Sequence, residues 1–281
     1  MRSSRFTVRQ VSGALGAEIS GIDLSRPLDA QTVAALRHCF LEHGVIFFRD
    51  QELSAAQHKD FARSFGEIYV HPYLESGPDP EIIEIRRQPH DASVVGEYWH
   101  SDAAMSELPP LGSILYAIDV PPFGGDTLFS NQYLAYETLS PGMQRMIGGM
   151  RAHNSDRTLI ATAGAQSNAR RSTHMKDTPA KQETITLHPI VRTHPETGRK
   201  ALYVNRNLTL SIEDMSESES RGLLDYLFAQ GERPEFTCRF RWERGSIAFW
   251  DNRCTKHLAI NDTGGFHRLM RRVQLVGDRT A

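Results

Sequence analysis

The sequence predicts one domain in which a β-sandwich or β-barrel core carries helices on its outside. Two observations predict this mainly β class with flanking helices. Capped amphipathic helices lie near the start, and short strand patterns separated by turn residues recur from about Glu81 onward. No internal repeat, low-complexity tract or linker divides the chain, so we expect residues 1–281 to form a single domain.

Charge and composition exclude several classes of protein. The 32 Lys and Arg are balanced by 34 Asp and Glu, so no overall basic field favours nucleic acid or an anionic membrane. The chain has no apolar run long enough for a spanning helix and no secretory signal at its start, which predicts a cytoplasmic protein. The three cysteines are too scattered for a disulfide framework and are expected to be buried, although Cys254, near His257, leaves a nucleophile open as an alternative.

Two helices and one strand are predicted before residue 70. The segment Asp29–His43 has an apolar stripe of helical period and ends at Gly44, a typical helix stop. The apolar run Val45–Phe48 then reads as a buried strand. A second helix is expected to begin after Ser54, a good N-cap, and to end at Gly66.

The rest of the chain is predicted to be mainly strands. Strand patterns occur at 81–85, 112–118, 127–129, 190–193, 200–205 and 269–276. The apolar residues at 236, 238, 240 and 242 alternate with polar ones, as in a strand with one buried face. Helical segments are expected around 132–150 and 214–231. Thr158 to Gln182 has no period of either kind and is predicted to be a mobile active-site loop.

A His-x-Asp triplet can supply two metal ligands only where both side chains point the same way. His58 and Asp60 lie in a predicted helix, where residues two apart diverge by about 200°, so they cannot bind one ion. His100 and Asp102 lie in an extended-looking segment, where residues two apart share a face. This second triplet is therefore the candidate ligand pair.

His257 is the best candidate for a third ligand, because it follows a buried strand that breaks into the polar turn 251–253. Two histidines and one carboxylate form the facial triad of non-haem Fe(II) oxygenases. Zinc hydrolases use the same ligand types, but their usual helical signature, His-Glu-x-x-His, is absent from the sequence. Ligand type and strand placement therefore favour iron.

An oxygenase of this kind needs two further electrons, commonly from 2-oxoglutarate, whose distal carboxylate suits a guanidinium and a hydroxyl. Arg268, Arg271 and Arg272 are the candidate cations. Alternation along a strand places Arg268 and Arg272 on one face, pointing inward, and leaves Arg271 toward solvent.

Six motifs together resemble the taurine dioxygenase and 2,4-dichlorophenoxyacetate dioxygenase family of Fe(II)/2-oxoglutarate enzymes. In order they are Gly16–Gly21, Trp99–Asp102, Gly124–Thr127, His194–Gly198, Trp250–Arg253 with His257, and Arg268 with Arg272. The likeness covers nearly the whole chain. It implies a double-stranded β-helix, the cupin-like jelly roll, with iron held at one open end.

The resemblance also implies roles for single residues. The implied iron ligands are His100, Asp102 and His257. Thr127 and Arg268 match the residues that bind the 2-oxoglutarate carboxylate. Arg272 matches an arginine near the cosubstrate that also holds the substrate anion, and His71 matches a second anion contact.

Two positions depart from the taurine-specific members. Leu74 and Gly96 stand where those members hold the amine of taurine. Tyr73, Leu74 and Met105 can supply apolar walls, so the resemblance implies a larger or more hydrophobic anion than taurine.

The function implied is an Fe(II)-, 2-oxoglutarate- and O2-dependent dioxygenase that releases succinate and CO2. The expected substrate is a small organic anion, a sulfonate, alkyl sulfate or aryloxyalkanoate, whose hydroxylation can end in C–O or C–S cleavage. Alternatives are a hydroxylase or desaturase of a secondary metabolite or amino-acid derivative, a metal-dependent hydrolase, and a non-catalytic jelly-roll binding module. The resemblance also implies a homodimer or homotetramer, with no nucleic-acid or membrane partner.

Overall fold

The computed structural model describes residues 5–71, 77–161, 172–173 and 183–281. The strands within these ranges are β1 Thr7–Gln10, β2 Ala17–Ser20, β3 Val45–Phe48, β4 Ile68–Tyr69, β5 Ile83–Arg87, β6 Gly112–Asp119, β7 Thr127–Asn131, β8 Arg151–Ser155, β9 Ile185–Pro189, β10 Val191–Thr193, β11 Lys200–Leu202, β12 Thr209–Ile212, β13 Thr237–Phe240, β14 Ile247–Asp251, β15 Thr255–Ala259 and β16 Arg268–Leu275. The helices are α1 Ala30–His43, α2 Ala55–Arg63, α3 Gln132–Glu137, α4 Pro141–Ile147, α5 Arg157–Ala161 and α6 Glu217–Gly231.

One large sheet and several smaller ones make up the core. The large sheet has the strand order β1-β2-β3-β14-β6-β16-β4, and β5 also pairs with β16. Two three-stranded sheets, β13-β7-β15 and β12-β8-β9, and the β10-β11 hairpin complete the β structure. The pairings are antiparallel apart from β2 with β3. The predicted mainly β fold is confirmed.

The large sheet packs against β13-β7-β15 through buried aromatic side chains. Phe47 of β3 stacks on Phe240 of β13 at 4.0 Å between ring centroids. Phe129 of β7 contacts both Phe47, at 5.7 Å, and Trp250 of β14, at 5.6 Å. Aromatic pairs of this kind add to the free energy gained by burying apolar area. The candidate ligands lie at the border of this layer.

The helices α1 and α2 cover the opposite face of the large sheet. Phe40 of α1 stacks on Phe249 of β14 at 4.1 Å, and Phe65, just beyond α2, lies 5.0 Å from the same ring. Asp29 caps α1 through Thr32 N, and Gly44 ends it with a φ of 69°. A left-handed residue at this position is the usual helix stop, and glycine adopts it without strain.

Most predicted elements are present within a few residues of their expected bounds. The apolar residues 236, 238, 240 and 242 are all buried, as the alternation predicts. His58 is fully buried on α2 while the side chain of Asp60 is 72% exposed, so this triplet does not converge. Of the predicted loop from Thr158 to Gln182, residues 158–161 lie in α5 and 172–173 are described, and the remainder falls outside the described residues. Among the described helices, none has the length and apolar character needed to cross a membrane.

Candidate active site

The three residues predicted as metal ligands lie together. The potential ligand atoms of His100, Asp102 and His257 are all within 4.8 Å of one another. Asp102 Oδ1 is 3.7 Å from His100 Nε2 and 3.9 Å from His257 Nε2. Asp102 and His257 are buried, whereas the side chain of His100 is 20% exposed. Two imidazoles and one carboxylate therefore surround a single point with one accessible side.

Backbone hydrogen bonds hold the two histidines side by side. His100 N donates to His257 O at 3.1 Å, and His257 N donates to His100 O at 2.8 Å. His100 thereby extends the β13-β7-β15 sheet by one bridge beyond β15. Ser101 points away from the ligands and donates from Oγ to Thr255 O at 2.9 Å. This alternation is why residues 100 and 102 face the same side.

Asp102 lies in a network that fixes both of its carboxylate oxygens. Ser113 Oγ donates to Oδ2 at 2.6 Å, and Arg272 Nη1 donates to Oδ1 at 3.1 Å. Asn252 accepts from Asp102 N at 3.3 Å through Oδ1, which also accepts from Trp250 Nε1 at 3.0 Å. The carboxylate cannot rotate without breaking these bonds, so the ligand is oriented in advance.

The protonation states of the three side chains fit a divalent metal. Burial opposes ionisation of Asp102, but the positive charge of Arg272, with a hydrogen bond from Ser113, outweighs it and holds the pKa of Asp102 well below its usual range. Burial lowers the pKa of His257 to about 3, so its imidazole is neutral. The bond between His100 Nδ1 and Tyr98 O, 2.7 Å, fixes the tautomer that leaves Nε2 free as a ligand.

The two residues implied for 2-oxoglutarate binding, Thr127 and Arg268, both lie next to Trp242. Thr127 begins β7, is buried, and accepts a hydrogen bond from Trp242 Nε1 at 2.9 Å. Because its oxygen is the acceptor in that bond, the Thr127 hydroxyl proton is available to an anion. Arg268 begins β16 and lies with Cζ 5.9 Å from the Trp242 ring. Trp242 thus links the two candidate carboxylate-binding residues.

Arg268 forms no ion pair with a carboxylate among the described residues, although Asp126 acts on its charge from a distance. Its Nε is buried and has no hydrogen-bond partner among the described residues. Burial, with the added charge of Arg87, lowers the pKa of Arg268 to about 10, which still leaves it cationic at neutral pH. A buried guanidinium without a carboxylate is the environment that a bound anion stabilises.

The residues predicted for the substrate side are only partly described. Arg272 is buried and contacts Asp102, while Arg271, on the opposite face of β16, pairs with Glu84 at 3.2 Å. The predicted inward placement of Arg272 is therefore observed. His71 follows β4, whose antiparallel pairing with β16 leads the chain toward Arg272. Tyr73 and Leu74 lie outside the described residues.

Met105 belongs to a buried apolar cluster that follows Asp102 in the chain. The buried members of this cluster are Ile83, Ala103, Ala104, Met105, Tyr203 and Leu208. Thr186 of β9 fixes the segment by donating from Oγ1 to Met105 O at 2.7 Å. An apolar wall next to the metal ligands is suited to an alkyl or aryl group.

Gly96 packs directly on the candidate metal ligand His100. A Cβ at position 96 would lie 3.1 Å from His100 Cε1, and the residue has a φ of +85°. No side chain fits there without displacing the ring. A side chain of the taurine-specific kind at position 96 would therefore clash with the His100 ring in this structure.

The motif His194–Gly198 supports the fold and is not a second metal site. Asp251, His194 and Cys254 are close enough to suggest ligands, but their polar atoms are already bonded. Asp251 accepts from His194 Nε2 at 3.0 Å and from Arg253 Nε and Nη2 at 2.8 and 2.7 Å. His194 Nδ1 accepts two backbone N–H groups. Burial raises the pKa of Cys254 well above its ordinary value, which removes the alternative of a nucleophilic thiolate.

Sequence reasoning missed Ser113, Asn252 and Trp242, which orient the predicted residues. Ser113 had a usable signal, because it is the polar member of the inward positions Ser113, Leu115 and Ala117 of β6. Trp242 was predicted to be buried in a strand, but its hydrogen bond to Thr127 depends on a contact between distant segments. Such contacts have no local pattern.

Comparison with known proteins identifies the class. Residues 7–274 match the model of the taurine catabolism dioxygenase TauD, TfdA family. The chain belongs to this family, and the predicted enzyme class and jelly-roll fold are confirmed.

Two of the similar proteins are named for sulfate ester substrates. The chain is 33% identical to an alkylsulfatase of Acinetobacter baylyi, over 99% of this chain and 87% of that one. It is 34% identical to an alpha-ketoglutarate-dependent sulfate ester dioxygenase of Pseudomonas putida, over 96% and 89%.

Among solved structures, a taurine dioxygenase from Burkholderia xenovorans superposes with a TM-score of 0.83, at 37% identity over 99% and 91% of the two chains. AAD-2, solved with Mn(II) and N-oxalylglycine, superposes with a TM-score of 0.79, at 25% identity over 98% of both chains.

Proposed function

We propose that this dioxygenase uses Fe(II) and 2-oxoglutarate to hydroxylate a small anionic substrate, with alkyl sulfate esters as the favoured class. The observation that carries the proposal is the pairing of a three-residue ligand set, His100, Asp102 and His257, with Arg268, whose buried Nε has no partner among the described residues. A zinc hydrolase or a binding module needs no dicarboxylate site beside its metal. The dependence of the relatives on alpha-ketoglutarate supports the same assignment.

Each residue has a defined task in this proposal. His100, Asp102 and His257 would hold the metal, while Thr127 and Arg268 would hold the distal carboxylate of 2-oxoglutarate. Bound Fe(II) with 2-oxoglutarate and O2 supplies the oxidising power that a protein side chain lacks. Arg272 binds Asp102 through Nη1, and its Nε is buried without a partner among the described residues. Arg272 can therefore also donate to a substrate sulfate, with His71 as a second contact.

The apolar wall directs the rest of the substrate. Ala104, Met105 and Tyr203 are nearly free of solvent and lie next to the ligand segment. An alkyl chain on this wall, with its sulfate on Arg272, brings the carbon that bears the ester oxygen toward the metal. Hydroxylation of that carbon gives a sulfate hemiacetal, which collapses to an aldehyde and inorganic sulfate. One O2 and one 2-oxoglutarate are consumed, and succinate and CO2 are released.

The test is a substrate panel with three products measured. The purified protein, Fe(II) and 2-oxoglutarate are incubated with hexyl sulfate, hexanesulfonate, 2,4-dichlorophenoxyacetate or taurine, with and without O2. We expect O2-dependent succinate release, coupled one to one with sulfate, to be highest for hexyl sulfate. Sulfate release without O2 would support a hydrolase and contradict the proposal. His100→Ala is the inactive control.

We further infer that residues 1–281 act as one domain, because β1 and β16, at the two ends of the chain, belong to the same sheet. The cytoplasmic location and the homodimeric or homotetrameric state implied by the resemblance stay predictions. Light scattering of the purified protein tests the oligomeric state.

A further inference from the structure

The candidate cosubstrate site contains a second arginine. In the antiparallel pairing of β5 with β16, Arg87 stands directly opposite Arg268. Residues directly opposite in an antiparallel pair share a face, with Cβ atoms about 4.5–5.5 Å apart. Two like charges in this position destabilise a sheet. Something other than the pairing itself must favour this arrangement.

Neither guanidinium is neutralised by a carboxylate among the described residues. Arg87 Nη1 donates to the amide oxygen of Asn261, and its Nη2 donates to the backbone oxygen of Asp91 at 3.5 Å. Both acceptors are neutral. Arg87 Nε, like Arg268 Nε, is buried and has no partner within the described ranges.

The acidic side chain that acts on Arg268, Asp126, is already paired with another arginine. Asp126 precedes Thr127, and its Oδ2 accepts from Arg239 Nε at 2.6 Å. Asp262 also lies by Arg239, at 3.9 Å from its Nη2, and among the described residues neither carboxylate forms an ion pair with Arg87 or Arg268. On the other face of the same two strands each arginine has an ion pair, because Arg86 and Arg271 share the carboxylate of Glu84.

The backbone at Gly125 packs closely against Thr263 and Arg268. Gly125 has a φ of +69°, and a Cβ there would lie 2.9 Å from Thr263 Cγ2 and 3.5 Å from Arg268 Nε. Thr263 is 1% exposed, and its hydroxyl has no partner in the described part of the chain. The excess charge therefore lies at a confined place with unsatisfied donors.

We propose that Arg87 is a second cosubstrate-binding arginine, which acts with Arg268 on the distal carboxylate of 2-oxoglutarate. The inference rests on the proposed function and adds a residue that neither the motifs nor the family match assigns. The substrate anion is a poorer candidate for Arg87. Arg272, proposed to hold it, is four residues from Arg268 along β16, or about 13 Å between Cα atoms.

The experiment measures binding without turnover. The protein is loaded with Mn(II), which does not support the reaction, and titrated with 2-oxoglutarate by calorimetry. We expect Arg87→Gln to raise the Kd about tenfold, as for the loss of one charge-assisted contact. The dependence of the Kd on salt should also become weaker, because one charge fewer meets the ligand.

Two matched variants separate charge from structure. Arg87→Lys loses the two hydrogen bonds to Asn261 and Asp91 but keeps the positive charge. Because the charge is proposed to bind the ligand, we expect the Kd to stay within about threefold of wild type. Arg86→Gln removes the same charge from the adjacent position on the opposite face and should leave the Kd unchanged.

An equal loss of 2-oxoglutarate affinity in Arg87→Gln and Arg87→Lys would overturn the inference, because the hydrogen bonds to Asn261 and Asp91, and not the charge, would then matter. A wild-type Kd in Arg87→Gln would overturn it as well. In both cases the proposed function stands if Arg268→Gln loses binding. If the wild-type protein does not bind 2-oxoglutarate, the proposed function and this inference fail together.

Discussion

Arg272 donates a hydrogen bond to Asp102 over 3.1 Å, so the residue proposed to hold the substrate anion is bonded to a proposed metal ligand. The side chains of both residues are only 6% exposed. A contact that weakens this pair must change the electrostatics of the metal centre. Binding of substrate and binding of metal are therefore expected to depend on each other.

Replacement of Arg272 tests this coupling. Arg272→Gln removes the positive charge that favours the ionised form of Asp102, so we expect metal affinity to fall about 10–100-fold, as for loss of other partners of metal ligands. Isothermal titration with Mn(II) measures it. Arg271→Gln, on the opposite face of the same strand, is the matched control and should bind metal as wild type does. Equal metal affinity in both variants would contradict the coupling.

Ser113 is expected to orient the metal ligand from the other side. Ser113→Ala removes the 2.6 Å bond to Asp102 Oδ2 and leaves that oxygen, among the described residues, with the long contact from Asn252, 3.5 Å. We expect metal affinity to fall about tenfold with little change in the melting temperature. Ser130→Ala, another fully buried serine, breaks a bond to Gly231 O and should lower stability without affecting metal binding. A reversed pattern in the two variants would show that Ser113 has only a structural role.

His58 is expected to make stability sensitive to acid. Burial lowers its pKa to about 4, and the charge of Arg271 adds to the effect, whereas the unfolded chain keeps the ordinary value of 6.5. Above pH 6.5 the imidazole is neutral in both states and has no effect on the balance. Between pH 6.5 and 4 only the unfolded state takes up the proton, so its free energy falls and the protein loses about 3 kcal/mol of stability.

Urea unfolding of wild type and His58→Phe at several pH values measures this contribution. The stability difference between the two proteins should shift in favour of the variant as pH falls from 6.5 to 4. His38→Gln, which changes an exposed histidine on α1, should run parallel to wild type. Parallel curves for His58→Phe and wild type would rule out the linkage.

Arg253, Asp251, His194 and Glu196 form an ion network at the end of β14. Replacement of Arg253 is predicted to reduce the stability of the fold more than replacement of a residue at the edge of this network. Arg253→Met removes the guanidinium from Asp251, which keeps only neutral or ring donors such as His194 and the backbone N–H of residue 253, and should reduce stability by about 3–5 kcal/mol, as for other buried charges that lose a partner. Chemical denaturation measures the loss. Arg37→Met removes a partly exposed arginine from Glu196, on the outer edge of the same network, and should cost less than about 1 kcal/mol. A small loss in both variants would mean that the network does not stabilise the sheet.

The convergence of the candidate metal ligands was predictable because the relevant geometry is local. Whether residues two apart converge depends only on whether the backbone is extended or helical, and this separated His100 and Asp102 from His58 and Asp60. Caps and periodicity predicted α1, α2 and α6 for the same reason. The alternation from Phe236 to Trp242 predicted the buried positions correctly, but the strand itself is shorter than expected, because Phe236 ends a 3-10 turn and β13 covers Thr237–Phe240.

Short strands and the surroundings of the site were not predictable in this way. β8, β9 and β12 have four or five residues and mixed polarity, so their formation depends on pairing with one another. β15 was not predicted, because its first three residues, Thr255–His257, are polar and so do not show the apolar pattern of a buried strand. The opposition of Arg87 and Arg268 follows from the register of β5 on β16, and no spacing rule relates positions so distant.

The mutual backbone bonds of His100 and His257 have a consequence for assembly. Two distant parts of the chain are already joined there by main-chain contacts, so the chain entropy of closing that loop is lost when the sheet forms. The ion finds its ligands pre-arranged, and its binding energy is not needed to fold the protein. Metal loading should therefore be a late, reversible step, and chelators should strip the centre while the β framework stays intact.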